Sequence, residues 1–349
     1  MKLLVTGGAG FIGSAACRFF VLRQGWQIVI LDKLTYAGHL SSLDGVLASP
    51  AATFLHVDIC DSEAVRDCLE AHRPDVILHL AAESHVDRSI DGPEVFVDTN
   101  VIGTYRLLEA CRDYLNRLDR GGRERFRFVY LSTDEVYGPS ELGSACTERH
   151  PLFPSSPYAA SKAAAEHMVA AWHRTYALPS IIARCTNNYG PYQLPEKLIP
   201  RMVIACLGQQ SLPVYGDGSC TRDWLFVEDH VRALASIIER GRIGEIYNIA
   251  AQSNRSNLEV VETICDIVQH EKKLAASPRN LISFVQDRPG HDRHYVLDAE
   301  KIRRELGWQP REPFGRGMEK TVKWYLENEA WWRPILEKGV GATRLGLVG

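Results

Sequence analysis

The chain has 349 residues, 45% of them hydrophobic and 24% charged. These are the proportions of an ordinary globular protein and exclude a disordered or fibrous one. Lys and Arg total 40 against 43 Asp and Glu, a net charge of -3, which leaves no basic excess for nucleic acid.

At about 100–200 residues per domain, the length fits two domains, or one large domain with an added lobe. Such a chain buries enough surface to fold without disulfides. The opening stretch MKLLVTGGAGFIG turns to glycine soon after its first apolar residues, unlike a secretory signal. No run of about 18 apolar residues offers a membrane span. The nine cysteines are odd in number and form no CxxC pair, and several sit inside apolar runs. They read as reduced, small hydrophobes in a cytoplasmic protein, with neither a disulfide frame nor a zinc site.

Along the first half, short apolar runs alternate with helical spacing. Strands are expected at Lys2–Thr6, Gln27–Leu31, Thr53–Val57, Val76–Leu80, Phe126–Ser132 and Ser180–Arg184, and helices at Ile12–Gln24, Ser62–His72, Val95–Tyr114 and Tyr158–Tyr176. This is the pattern of a doubly wound parallel sheet of Rossmann type, an α/β fold. The Arg-rich stretch Arg117–Arg127 reads as a solvated loop. After about residue 186, Pro and Gly become dense and the elements shorten. Helices near Asp229–Arg240, Leu258–His270 and Met318–Asn328 and a strand at Ile246–Ile249 suggest a smaller lobe. The expected division is 1–186 for cofactor and catalysis and 187–349 mainly for substrate, with a return to the first domain around residues 223–250. Trp331 and Trp332 read as packing.

Gly7, Gly10 and Gly13 lie between the first strand and the first helix. Such glycines let the backbone approach a pyrophosphate at a helix N-terminus. The second strand leads into Asp32, placed to accept hydrogen bonds from a ribose diol and to repel a 2′-phosphate, which favours NAD over NADP. Asp58 and Ile59 follow the third strand, where an adenine edge is held. Leu80, Ala81 and Ala82 end the fourth, small enough for a cofactor to lie against the backbone.

Tyr158 and Lys162 fall four apart on a helix that Ser156 can cap and Pro157 can start. Both then project from one face, and the ammonium is expected to lower the phenol's pKa and make Tyr158 a base. The fifth strand ends in Thr133, Asp134 and Glu135, at the carboxyl edge where open parallel sheets bind ligands. Alcohol oxidation alone needs no acids there. Two carboxyl groups imply further proton chemistry, one removing a carbon-bound proton and the other assisting a leaving hydroxyl.

TGGAGFIGS, LDKLTYAG, AAESHVDRSI, VYLSTDEVYG, SPYAASKAAAEH, NNYGPYQLPEKLIP, PVYGDG, RDWLFVEDH and DRPGHDRHY together resemble the nucleotide-sugar enzymes of the extended short-chain dehydrogenase/reductase superfamily. Within it they closely resemble the 4,6-dehydratases that act on dTDP-glucose. The related 4-epimerases lack the acidic pair, and the related decarboxylases typically keep only the glutamate. The resemblance implies that Phe11 and Ile12 meet the NAD pyrophosphate, that Asp32, Lys33, Leu34 and Thr35 hold the adenosine ribose, and that Leu80 through Ser84 and Thr99 line the cofactor. It implies that Thr133 bonds the sugar, Asp134 is the acid, Glu135 the base at carbon 5 and Tyr158 the base at the 4-hydroxyl, with Lys162 on the nicotinamide ribose. Asn187, Lys197, Leu198, Pro213, Tyr215, Arg222, Asn257, and His291 through Tyr295 match substrate contacts, and Asn188 lies beside them on the cofactor side. Ser84 is shared by cofactor and substrate. Lys197 and Arg222 could bind the substrate phosphates, with Arg288 and Arg293 nearby, and His85 and Asp87 could line the sugar pocket. CTNNYGP, His39 and a shorter stretch between Gly138 and Ser155 depart from the commoner pattern. A homodimer through the helices at Val95–Tyr114 and Tyr158–Tyr176 is also implied. UDP- or CDP-glucose remains open as substrate, and a 4-epimerase, a decarboxylase or a non-catalytic NAD-binding protein are the other readings.

Overall fold

The computed structural model describes residues 1–140, 145–287 and 292–337. Twelve strands appear in chain order: β1 (Lys2–Thr6), β2 (Gln27–Asp32), β3 (Ala52–His56), β4 (Val76–His79), β5 (Arg127–Thr133), β6 (Ser180–Cys185), β7 (Asn187–Tyr189), β8 (Leu212–Tyr215), β9 (Thr221–Phe226), β10 (Ile246–Ile249), β11 (Asn254–Ser256) and β12 (Ile282–Val285). Seven of them form one parallel sheet in the order β10-β6-β5-β4-β1-β2-β3. All six expected strands of the first half are present to within a residue or two.

Side chains alternate across this sheet, and both faces are covered. Leu3 and Val5 of β1 enter a core with the helix Phe11–Arg18 and the helix Val227–Arg240. Leu4, between them, enters the opposite core with the helices Ser62–His72, Thr104–Arg117 and Pro157–Tyr176. Chain order reverses at β1, whose neighbours are β2 and β4. That reversal opens a crevice beyond the carboxyl ends of the strands.

The sheet also takes in β10, which pairs in parallel with β6 at Ile249↔Cys185. A third core lies among the helices Leu198–Leu207, Asn257–Lys272 and Phe314–Glu327, near the sheets β11-β9-β7 and β12-β8. Trp332 is buried in it and donates from Nε1 to Tyr325 O at 2.9 Å. Trp331 donates to Ser42 Oγ at 3.2 Å.

Three expectations need correction. The helix expected over Ile12–Gln24 is an α-helix, Phe11–Arg18, followed by a π-type segment, Phe19–Arg23. The helix expected over Val95–Tyr114 is three pieces: Glu94–Phe96, a wide π-type segment Val97–Gly103, and Thr104–Arg117. A Cβ at Gly103 would approach Ile59 Cδ1 to 2.7 Å, so the chain passes Ile59 too closely for a larger residue. The stretch Arg117–Arg127 is not all loop. Asp119 accepts from Gly122 N at 2.7 Å and starts a short helix, Arg120–Arg125, that the density of charge concealed.

Candidate active site

The cofactor end begins at the β1 turn. Gly7 has φ +69°, and a Cβ there would come within 2.7 Å of the Ala81 backbone, so only glycine fits between the ends of β1 and β4. A Cβ at Gly13 would collide with Gly7 O. These glycines keep a cradle open at the start of the helix Phe11–Arg18, the shape a pyrophosphate needs. Asp32, at the end of β2, is 9% exposed. Its oxygens accept from Ala9 N at 2.9 Å and Leu34 N at 2.8 Å. Each keeps a further lone-pair site for a hydroxyl. Burial raises the Asp32 pKa, and those two amides work against the rise.

The turn, the strand ends and the helices Leu198–Leu207 and Asn257–Lys272 line a cavity of about 910 Å³, within the usual range for small-ligand sites. It is lined by Gly7, Gly10, Phe11, Ile12, Gly13, Asp32, Lys33, Thr35, Asp58, Ile59, Leu80, Ala81, Ala82, Ser84, Thr99 and Asn188 from the expected cofactor set. Asn187, Lys197, Leu198, Pro213, Tyr215, Arg222, Asn257 and Tyr295 line it from the expected substrate set, and His85 and Asp87 do so as well. Asp292, Arg293 and His294 stand outside the lining and instead hold Arg222 and Thr221, the first two through main-chain oxygens to Arg222 and His294 through Nδ1 at 2.7 Å from Thr221 Oγ1. Leu34 is the exception in the cofactor set. It stands outside the lining at φ +53°, where its amide fixes the Asp32 carboxylate. His291 and Arg288 lie outside the described residues.

The residues expected to react gather where β5 and β6 finish, paired at Thr133↔Cys185. Thr133 Oγ1 accepts from Glu135 N at 3.3 Å and donates to Asp134 Oδ1 at 3.2 Å, folding the acidic pair into a one-turn helix, Asp134–Tyr137. Asp134 is 2% exposed, and its Oδ2 has no hydrogen-bond partner among the described residues. Burial first, then the Glu135 charge, push its pKa up to about 8, with Arg222 pulling the other way. Asp134 is therefore a protonated acid at neutral pH, aimed into the cavity it lines.

Tyr158 and Lys162 line the same cavity from the helix Pro157–Tyr176, which Ser156 caps by accepting from Ala159 N at 3.1 Å. Their electrostatics differ from the expectation. Burial and the Glu135 charge raise the Tyr158 pKa well above the ordinary phenol value, and a hydrogen bond with Thr133 opposes them. Lys162 does not pull it down because its ammonium points elsewhere. Nζ donates to Leu131 O at 2.6 Å and sits 4.3 Å from the centre of the Tyr130 ring. Burial lowers the Lys162 pKa to about 7.

Arg222 is held by main-chain oxygens, donating to Thr221 O at 2.8 Å and Asp292 O at 2.9 Å, with its guanidinium 4.6 Å from the Tyr295 ring centre. Lys197 stands at the N-terminal boundary of the helix Leu198–Leu207, without a side-chain cap, and donates from Nζ to Ser84 O at 3.3 Å. Glu196, to which no motif in the sequence assigns a role, has a side chain 4% exposed that lies 3.5 Å from Arg88 and 3.8 Å from His85. An acid next to a helix start was the available signal, but the neighbouring Lys197 masked it as a surface pair. Among the described residues no cluster of His, Cys, Asp or Glu could hold a metal ion.

A family model described as GDP-mannose 4,6 dehydratase matches residues 4–321. A dTDP-glucose 4,6-dehydratase of Neisseria meningitidis serogroup B is 52% identical over 352 residues, covering 99% of each chain. The Escherichia coli K12 dTDP-glucose 4,6-dehydratase 1 is 52% identical over 95% of this chain and 94% of its own. Among solved structures, a dTDP-glucose 4,6-dehydratase of Streptomyces venezuelae with NAD bound superposes with a TM-score of 0.87 at 44% identity, covering 96% of this chain and all of that one. A Thermus thermophilus UDP-glucose 4-epimerase in complex with NAD gives 0.82 at 30% identity, over 94% of this chain and all of that one.

Proposed function

The chain belongs to the GDP-mannose 4,6 dehydratase family, and from that premise we propose that its cleft converts dTDP-glucose to dTDP-4-keto-6-deoxyglucose with NAD as resident cofactor. The observation that carries this reading is the buried acid Asp134 beside Glu135 at the end of β5, in one cavity with Tyr158 and Lys162. An epimerase or simple dehydrogenase has no use for a protonated carboxyl group at that point.

The glycine cradle and the Asp32 carboxylate fit the pyrophosphate and adenosine ribose of NAD, with Lys162 on the nicotinamide ribose. When bound, NAD accepts a hydride from carbon 4 of the sugar and returns it to carbon 6. Tyr158 receives the proton of the 4-hydroxyl. The hydrogen bond with Thr133 favours the phenolate this requires, while burial and the Glu135 charge oppose it. The 4-ketone acidifies carbon 5, whose proton passes to Glu135. Asp134 protonates the 6-hydroxyl, which departs as water, and Glu135 later returns a proton to carbon 5. The proton held by Tyr158 replaces the one Asp134 has lost, so the cycle closes.

Lys197, at the start of the helix Leu198–Leu207, and Arg222 are placed for the substrate diphosphate. In this reading residues 1–186 supply cofactor binding and catalysis, and residues 187–349 mainly the substrate side. Val95, Val97, Ile102, Tyr105 and Tyr176 expose apolar surface on the segments 94–117 and 157–176, which supports a homodimer through these helices. No helix among the described residues is long and apolar enough to cross a membrane. All nine cysteines are free thiols, which supports a cytoplasmic setting.

Glu135→Gln tests the assignment. It keeps the side chain's shape but cannot accept the carbon 5 proton. With dTDP-glucose it is expected to develop reduced-nicotinamide absorbance without 4-keto-6-deoxy product. Product formation at the parental rate would move the base role to another residue.

A further inference from the structure

Behind the cavity wall, a buried polar network joins the two chain segments that carry the reacting groups. Arg184, on β6, is 3% exposed. Its Nε donates to both oxygens of Glu166, at 3.0 and 3.1 Å, and its Nη2 also contacts Oε1. Glu166 is 3% exposed and follows Tyr158 and Lys162 on the same helix, one turn beyond the lysine. Arg184 Nη1 donates to Tyr137 Oη at 2.5 Å, and that hydroxyl donates to Asn248 Oδ1 at 2.9 Å. Tyr137 is the last residue of the turn that Asp134 and Glu135 begin. Asn248, on β10, is fixed in turn by donating from Nδ2 to Cys146 O at 2.9 Å and Asp298 O at 3.1 Å.

None of these four side chains lines the cavity. A buried ion pair also brings little net stability, because desolvation offsets the attraction. Packing β6 against the helix needs no such pair. The pair does supply a directional link, because a planar guanidinium fixes two partners at once in a defined geometry. One partner belongs to the helix of Tyr158 and Lys162, the other to the turn of Asp134 and Glu135.

We propose that Arg184 is a positioning residue that locks the Asp134–Glu135 turn in register with the Tyr158–Lys162 helix, so that oxidation at carbon 4 and elimination across carbons 5 and 6 act on one sugar pose. The proposal rests on the 4,6-dehydratase reading and assigns the coordination of its two half-reactions. The two ends of the lock are separable. Tyr137→Phe removes a single hydroxyl and frees the acidic turn while leaving Arg184 on Glu166. Glu166→Gln loosens the helix end instead.

Rapid mixing of the NAD-loaded enzyme with dTDP-glucose reads both half-reactions, through reduced-nicotinamide absorbance and 4-keto product. Tyr137→Phe is expected to slow elimination about 10–100-fold, the range for a lost hydrogen bond to a charged group. Its oxidation rate, NAD retention and KM for dTDP-glucose should stay parental, so reduced nicotinamide accumulates. Arg184→Lys keeps the charge but cannot bridge both partners, and should reproduce this trace. Glu166→Gln should slow oxidation itself. A merely structural role would slow both phases of Tyr137→Phe together, or neither, and either result overturns the proposal. Parental elimination by Arg184→Lys also overturns it. Failure of the unaltered enzyme to form 4-keto product would overturn the dehydratase reading itself, and the proposal with it.

Discussion

Asp134→Asn removes an ionisable group while keeping its size and an oxygen for the Thr133 hydroxyl. In the native protein, burial and Glu135 raise the Asp134 pKa from 3.8 to about 8. In the unfolded chain it ionises at its ordinary value. Between these values the folded state binds one more proton than the unfolded state, so parental stability falls as pH rises. The stabilising contribution is fully present below the unfolded pKa and lost as pH passes through about 8. The slope is about 1.4 kcal/mol per pH unit, and the total is on the order of 5 kcal/mol. The variant lacks this dependence. Urea unfolding of parent and variant, at pH values from about 5 to about 9, should show the variant's relative stability climbing up to about pH 8 and then levelling off. Any fixed effect of the amide shifts the whole curve without changing its slope. A stability difference that stays flat across this range would refute the assignment of Asp134 as an acid held protonated by its surroundings, and with it the source of the proton for the leaving hydroxyl.

Tyr158→Phe keeps the ring and removes the base, so pre-steady-state oxidation of dTDP-glucose should fall by about 10²–10⁴-fold with little change in thermal unfolding; parental oxidation would remove Tyr158 from the mechanism. Asp32→Ala should release NAD faster on gel filtration and narrow the preference for NAD over NADP in equilibrium binding, whereas equal binding of both cofactors by the unaltered protein would contradict the role given to its carboxylate.

The parts legible in the sequence were those with a local physical signature. The β1 strand, its glycine turn and the run into Asp32 could be read because Gly7 and Gly13 leave no room for a side chain. Ser156 and Pro157 announced the helix of Tyr158 and Lys162, and the structure caps it as expected. What escaped depends on contacts distant in sequence. The π-type segments Phe19–Arg23 and Val97–Gly103 leave the apolar spacing of a helix almost unchanged. β7 and β11 are three residues each and gain their partners only by pairing with β9. The direction of the Lys162 ammonium, toward Leu131 O and the Tyr130 ring, is set by β5, so spacing alone gave the right face of the helix but the wrong electrostatic partner. Arg184, Glu166, Tyr137 and Asn248 looked like separate polar residues on four elements, and only the fold shows that they form one network.

In the proposed cycle one cleft oxidises carbon 4, eliminates water and then reduces carbon 6 with the same hydrogen. dTDP-glucose carrying deuterium at carbon 4, turned over by the NAD-loaded enzyme in ordinary water and examined by NMR, puts this to the most direct test. The expected product is dTDP-4-keto-6-deoxyglucose with the deuterium in its carbon 6 methyl group. Deuterium returned to carbon 4 of an epimerised sugar, or lost to solvent with no methyl group formed, would contradict it.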